Sequence, residues 1–283
     1  MLHLIQIVGL PFLMCLMMGL ILGYMGIHVL KREVIFVDIA LAQVAAVGAI
    51  VAHLVFEVHD DSMLSYACSL AAVFSVAAFY AVARVSVVQI SLEAIIGISY
   101  AIAAAAALFL VGIAPGGHIH IQKVLSGSLL WTSWKEIISG LLVFSSVGFC
   151  LFLIRKPLMK ISNHYVGTGK KKSQAIFWDL IFYVLLGVVI TLSVQMGGIV
   201  VVFAYLIIPA TLAAIFSPRF IIQLMIIWTA SIVASISGLL FAYYLDFSIG
   251  PAIALFLGVE LTATALIHIL KSYYRQKITA MEN

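Results

Sequence analysis

The stretch Lys31–Leu54 reads KREVIFVDIALAQVAAVGAIVAHL, and its interpretation decides the fold. From Val34 to Phe56 the side chains are apolar or small for long enough to cross a bilayer, which takes about 20 residues at about 1.5 Å each. Asp38 and Gln43 break that pattern. The triplet Lys31, Arg32, Glu33 marks one membrane face, which puts Asp38 roughly 8 Å and Gln43 roughly 15 Å along the helix from it. An ionisable group at such depth is costly, so it marks a functional position. Ala40, Ala42, Ala45, Ala46, Gly48 and Ala49 leave room for a neighbouring backbone, the mark of an interior helix in a bundle.

The rest of the chain is of the same kind. Hydrophobic residues make up 65% of the 283 and charged residues 9%, with a mean hydropathy of +1.23, values that exclude a water-soluble globular domain. Hydropathy divides the chain near 4–29, 34–56, 63–82, 92–113, 137–154, 176–196, 199–216, 221–244 and 252–270. The reading is an all-α, polytopic transmembrane helical bundle of about eight or nine segments, with residues 1–283 forming a single domain. The first segment has no basic stretch before it and no small-residue cleavage site after it, so it reads as a retained span. Cys15, Cys68 and Cys150 lie inside apolar runs and read as packing residues.

Charge placement predicts the orientation. Taken by alternate loops, 13 of the 15 Lys and Arg residues fall on one side, leaving Lys123 and Lys135 on the other. The positive-inside rule then puts the C-terminus in the cytoplasm and the N-terminus outside. The net charge of +4 is thus a matter of loop placement and does not indicate nucleic-acid binding. Gly167-Thr168-Gly169-Lys170-Lys171-Lys172-Ser173 has a superficial likeness to a phosphate loop, but His164 and Lys171 stand where that motif needs Gly and Ser or Thr. Any nucleotide is therefore hydrolysed by another chain.

Two segments are irregular. Residues 114–136 carry Gly116-Gly117 and the interfacial candidates Trp131 and Trp134, and read as an outer loop or interfacial helix. After Gly197-Gly198 only ten residues precede Pro209, about 15 Å of helix, or half a bilayer. Proline breaks or kinks a helix, so the sequence predicts a broken helix and a cytoplasmic element between 197 and 220. In that element Leu212, Ile215 and Phe216 form one apolar stripe, ended by Pro218-Arg219. It would leave Ala213 and Ser217 accessible from the cytoplasm, and would dock in a groove on a partner. The plainer alternative is one kinked span anchored by Arg219.

The candidate chemistry lies in a few polar side chains. Asp38 either caps its helix or lines a transport route, and Glu93, at a similar depth on another span, favours the second. Gln43 and Gln195 suit interhelical hydrogen bonds, and Asp179 suits a helix N-terminus. Glu260, near the middle of the last span, has to be protonated, paired or wet. His268 reads as an interfacial residue. On the outer side His53, Glu57, His59, Asp60 and Asp61, and the pair His118 and His120, carry donors suited to divalent metals, although loops are polar in any case.

These residues together resemble the permease subunits of ATP-binding-cassette importers for zinc, manganese or iron. Val34–Val51 resembles the family's second span, a basic turn followed by an Asp in a small-residue helix. LEAIIG at Leu92–Gly97 and VLSGSLLWT at Val124–Thr132 are similar to further family segments. SVQMGGIVVVFAYLIIPATLAAIFSPR, Ser193–Arg219, resembles its Gln-x-x-Gly, apolar run, Leu-x-x-Pro-Ala-x-x-Ala block and is the most specific part of a likeness that covers nearly the whole chain. The resemblance implies a homodimeric, multi-pass permease of a bacterial inner membrane, not itself an enzyme and with no cofactor of its own. It would receive metal from an extracytoplasmic binding protein and dock two cytoplasmic ATPase subunits, which bind the ATP. Asp38, Gln195 and Pro209 carry over as family residues, and Pro209, Ala210, Leu212, Ile215, Phe216 and Arg219 become the contact with the ATPase. Asp38, Gln43, Glu93, Gln195 and Glu260 become the translocation path, with Asp38 as metal ligand and His59, Asp60, Asp61, His118 and His120 as outer candidates. The departure is at Gln43: the family's His follows its Asp by four, whereas Gln43 follows Asp38 by five, about 140° round a regular helix, so the two would share a face only across a π-bulge. Two other classes compete with this reading. An ion-coupled secondary transporter would use Asp38, Glu93 and Glu260 as a carboxylate relay. An intramembrane enzyme lacks an HExxH motif or a nucleophile–base pair in the spans.

Overall fold

A computed structural model describes residues 2–57, 62–87, 89–113, 127–163 and 172–282, with side chains at 8–57, 62–87, 89–113, 127–162 and 173–271. The described residues fold into ten α-helices, nine of them long and apolar enough to span a membrane. In chain order they are α1 (Leu2–Lys31), α2 (Val37–Phe56), α3 (Met63–Ser86), α4 (Leu92–Ile113), α5 (Trp134–Leu153), α6 (Arg155–Asn163), α7 (Lys172–Gly197), α8 (Ile199–Phe216), α9 (Phe220–Leu245) and α10 (Ile249–Glu282). A 3-10 turn at Leu129–Trp131 precedes α5.

Side chains next to the helices set where they begin. The Ser62 hydroxyl accepts from the Ser65 amide at 3.1 Å and starts α3. At α5 the Ser133 amide donates to Glu136 Oε2 at 2.7 Å while the Ser133 hydroxyl accepts from the Glu136 amide, a reciprocal capping box. Between α7 and α8, Gly198 has φ 80° and ψ 162°, a region closed to residues with a side chain, and the chain reverses there.

The break predicted at Pro209 is a correction. α8 runs without interruption from Ile199 to Phe216, and the interruptions in the 197–220 region lie at Gly198 and at Ser217–Arg219. Eighteen residues give about 27 Å, enough for a crossing. Proline is tolerated in a membrane helix where neighbouring helices enclose it. Pro209 is buried, and the next residue, Ala210, packs with Ile27 of α1 and Ile227 of α9.

Packing divides the spans into two groups. α1 packs on α8 and α9, and α10 covers α8 and α9. α2 packs on α3 and α4, and α3 on α7; α5 bridges α1 and α7, while α7 also meets α2 and α8. α1 and α8 meet at the backbone: a Cβ on Gly26 would stand 1.9 Å from the Leu206 carbonyl oxygen. α1, α7 and α8 are the inner spans, with 67%, 56% and 61% of their most apolar window buried, against 17% for α4 and 11% for α10. The outward faces of α4 and α10 therefore meet lipid or another chain.

Candidate functional site

Asp38 lies in the first turn of α2 and is 1% exposed. Its carboxylate oxygens have no hydrogen-bonding partner of normal geometry among the described residues; its closest polar surroundings are the amides of Asp38 and Ile39 and the carboxylate of Glu93. Glu93, in the first turn of α4, accepts a hydrogen bond from the Phe36 amide at 3.1 Å through Oε1, and its Oε2 is buried without a partner. Two acids from separate spans thus lie at one end of the bundle, Glu93 bonded to the amide two residues before Asp38. Both oxygens of Asp38 and one of Glu93 are desolvated and unpaired, an arrangement suited to a cation that comes and goes.

The other predicted residues are more dispersed. Gln43 is half-buried on α2, which is a regular α-helix throughout, so Asp38 and Gln43 do not share a face. Gln195 is half-buried in the last turn of α7, at the opposite end of the bundle from Asp38. Glu260 is half-buried on α10, in the group of helices that lacks Asp38 and Glu93. A three-carboxylate relay is therefore not assembled by this packing. His59, Asp60, Asp61, His118 and His120 lie outside the described residues. Among the described residues no three His, Cys, Asp or Glu side chains converge as a metal-binding group. An open cavity of about 420 Å³ lies far from Asp38, between the 3-10 turn and the facing ends of α9 and α10, lined by Trp131, Tyr243, Asp246 and Phe247.

The segment 209–219 splits into a buried and an open part. Pro209, Ala210, Leu212, Ala213 and Ser217 are buried, Ile215 is half-buried, and Phe216, Pro218 and Arg219 are exposed. The expected accessibility of Ala213 and Ser217 is corrected accordingly, because both turn inward. The open tip stands at the same end as the basic residues, since Phe220 packs edge-on against Tyr24, one turn from His28 and two from Lys31.

Sequence reasoning missed the most polar feature of the interior. Asp179, expected only to sit near a helix start, is fully buried and forms ion pairs with Arg32 at the end of α1 and Arg84 in the last turn of α3. Arg32 also donates to Ser162 Oγ at 3.2 Å and lies 4.2 Å over the Phe182 ring, and His28 shares a hydrogen bond with the same Ser162 at 3.1 Å. Ser162 belongs to α6, a short helix that the hydropathy reading passed over as loop; it buries Leu158 and Ser162 and exposes Arg155, Lys156 and Lys160. This cluster ties α1, α3, α6 and α7 together just beyond Asp38 and Glu93. Among the signals that could have found it is the strong amphipathicity of residues 155–163.

The sequence profile of the ABC 3 transport family matches residues 5–269. The chain belongs to the ABC 3 transport family. Among relatives of this family member, a protein from Chlamydia muridarum described as a probable metal transport system membrane protein is 24% identical over 182 residues, 62% of this chain and 60% of its own length. The manganese transport system membrane protein MntB of Synechocystis is 27% identical over 168 residues, 58% of this chain and 54% of its own length. The chain thus spans less than two thirds of the length of the curated relatives it matches. In fold it is similar to a chain of PsaBC from Streptococcus pneumoniae in complex with Fab, with a TM-score of 0.72 at 18% identity, covering 93% of this chain and 91% of that one.

Proposed function

We propose that this family member is the membrane permease of an ATP-driven importer of a divalent metal ion, manganese, iron or zinc. The observation that carries the reading is the buried Asp38, whose two carboxylate oxygens are unpaired, with the half-buried Glu93 of another span beside it keeping one oxygen unpaired. Names of relatives that transport manganese, or metal in general, support it. The carboxylates give a divalent cation oxygen donors where lipid gives none, and a site of few ligands lets it leave again.

ATP is bound and hydrolysed on separate cytoplasmic subunits. The exposed residues Phe216, Pro218 and Arg219 contact them, and α8 carries their movement to Gly26 of α1, against which it lies at backbone distance. Alternating access follows from rocking the two groups of spans about their α7–α8 junction. Metal arrives from an extracytoplasmic binding protein, and the weakly buried α4 and α10 offer surface for a second copy. The basic end faces the cytoplasm of a bacterial inner membrane, with the N-terminus outside and the C-terminus inside.

The test is the manganese, iron and zinc content of cells lacking this chain, together with uptake in proteoliposomes. A deficit in one or more of these metals, with uptake that requires ATP and a co-purifying ATPase, is expected. Uptake driven by a proton or sodium gradient without ATP would instead establish a secondary transporter.

A further inference from the structure

The cavity of about 420 Å³ lies at the end of the bundle away from Asp38 and the basic residues. One wall is the 3-10 turn. The Ser128 amide ties that turn to α7 by donating to the Met196 carbonyl at 2.9 Å, and a Cβ on Gly127 would stand 2.2 Å from the Gly197 carbonyl carbon. The other wall is the connection from α9 to α10, where Asp246 takes φ 51° and ψ 47° and its amide donates to the Ala242 carbonyl. The cavity therefore bridges the two groups of spans, with α7 behind one wall and α9 and α10 forming the other.

Its lining has a definite chemistry. Trp131, Tyr243 and Phe247 supply aromatic rings, Ser128 and Ser248 supply hydroxyls, and Asp246 is the single charged residue among the described residues of the lining. Aromatic faces attract cations, and a carboxylate beside them adds a full negative charge, so the set suits an ammonium group. A primary ammonium suits it better than a quaternary one, because its N–H groups can donate to the carboxylate and the hydroxyls.

The carrier of that ammonium follows from α9. Val233, Ile236, Leu240 and Tyr243 stand at i, i+3, i+7 and i+10, are 36% to 47% exposed, and make one apolar stripe that ends in the cavity. From Val233, halfway along α9, the stripe rises about 15 Å, the depth of one leaflet. Trp131 and Tyr244, both largely exposed beside the mouth, are the residue types that settle at the membrane interface. A molecule with an apolar tail of that length and an ammonium head is a phospholipid, whereas a soluble partner would reach only the mouth.

We propose that this cavity is a phosphatidylethanolamine site, with the primary ammonium among Trp131, Tyr243 and Phe247 against the Asp246 carboxylate, and one acyl chain along the Val233–Tyr243 stripe of α9. The bound lipid then joins the α7 side of the bundle to α9 and α10.

The experiment titrates the purified full chain, stripped of lipid in detergent, with dioleoyl phosphatidylethanolamine, phosphatidylcholine or phosphatidylglycerol, and counts bound lipid by native mass spectrometry. Phosphatidylethanolamine is expected to half-saturate at about tenfold lower concentration than the other two, on the order of one hydrogen bond to a charged group. Asp246→Asn is expected to abolish that preference; asparagine enters the left-handed region readily, so the connection from α9 to α10 keeps its shape. Equal half-saturation by the three lipids in the wild type overturns the proposal, and so does an unchanged preference in Asp246→Asn. Competition by tail-free glycerophosphoethanolamine as strong as that of the lipid overturns the lipid as occupant. Should Asp246→Asn not accumulate, the wild-type comparison of the three lipids decides alone. None of these outcomes touches the permease reading, which rests on Asp38 at the other end of the bundle.

Discussion

At the scale of single residues, the interior separates charges that hold structure from charges kept available. Asp179 is engaged by two arginines, whereas Asp38 is equally buried and engaged by none. Asp179→Ala should therefore cost about 3–5 kcal/mol, because it strands the fully buried Arg32 side chain. Arg84→Ala should cost less, since the Arg84 side chain is 9% exposed and Asp179 keeps Arg32. Melting of the detergent-solubilised protein checks the order, and Arg84→Ala matching Asp179→Ala would contradict it. For Asp38→Asn, which conserves volume, melting should be unchanged while metal uptake is lost by tenfold or more, on the order expected for a removed ligand. The depth of Asp38 was legible in the sequence because a lone acid stands out in an apolar run. The Arg32–Asp179–Arg84 cluster was not: its members are 147 and 95 residues apart, and each alone has an ordinary explanation as a loop cation or helix-start acid.

At the scale of elements, sequence and structure agree on where the spans lie. Residues 92–113 and 199–216 coincide with α4 and α8; α3, α7 and α10 run past their apolar stretch into polar residues, whereas α2 begins at Val37, three residues after the predicted start. Pro209 misled because proline is judged against a helix in water, whereas α8 is enclosed by α1, α9 and α10. The same enclosure makes glycine decisive at Gly26. Gly26→Ala should force α1 from α8 and lower stability by about 1–3 kcal/mol. Gly97→Ala, with nothing within 4 Å of the new methyl, should be neutral or stabilising by up to about 1 kcal/mol through helix propensity. Equal melting shifts in the two variants would refute the close approach. In the coupling segment, Phe216→Cys and Arg219→Cys should react with an impermeant thiol reagent applied at the basic end, and Ala213→Cys should not. Protection of the first two by the ATPase supports the docking role; unchanged labelling in the assembled complex counts against it.

For the molecule as a whole, crossing of the membrane by all nine candidate spans among the described residues would put the two ends of the chain on opposite sides. A tag at the C-terminus should be cleaved by protease only in inverted vesicles, and a tag at the N-terminus only in intact spheroplasts; both tags on one side would remove a span from the count. The overall bundle was legible because hydropathy needs no partner to be read. The division into α1–α8–α9–α10 and α2–α3–α4–α7 was not, because it depends on which small residues meet. The buried ion cluster also has a consequence for how the protein is made. Arg32 leaves the ribosome 147 residues ahead of Asp179, and Arg84 leaves 95 ahead. At roughly 5–20 residues per second, Arg32 waits about 7–30 s for its counter-ion, a time in which an unpaired guanidinium stays in water and keeps its end of α1 from slipping inward. The same arginine thus serves twice, first as the label that orients a nascent span and then, once α7 arrives, as part of the sealed interior.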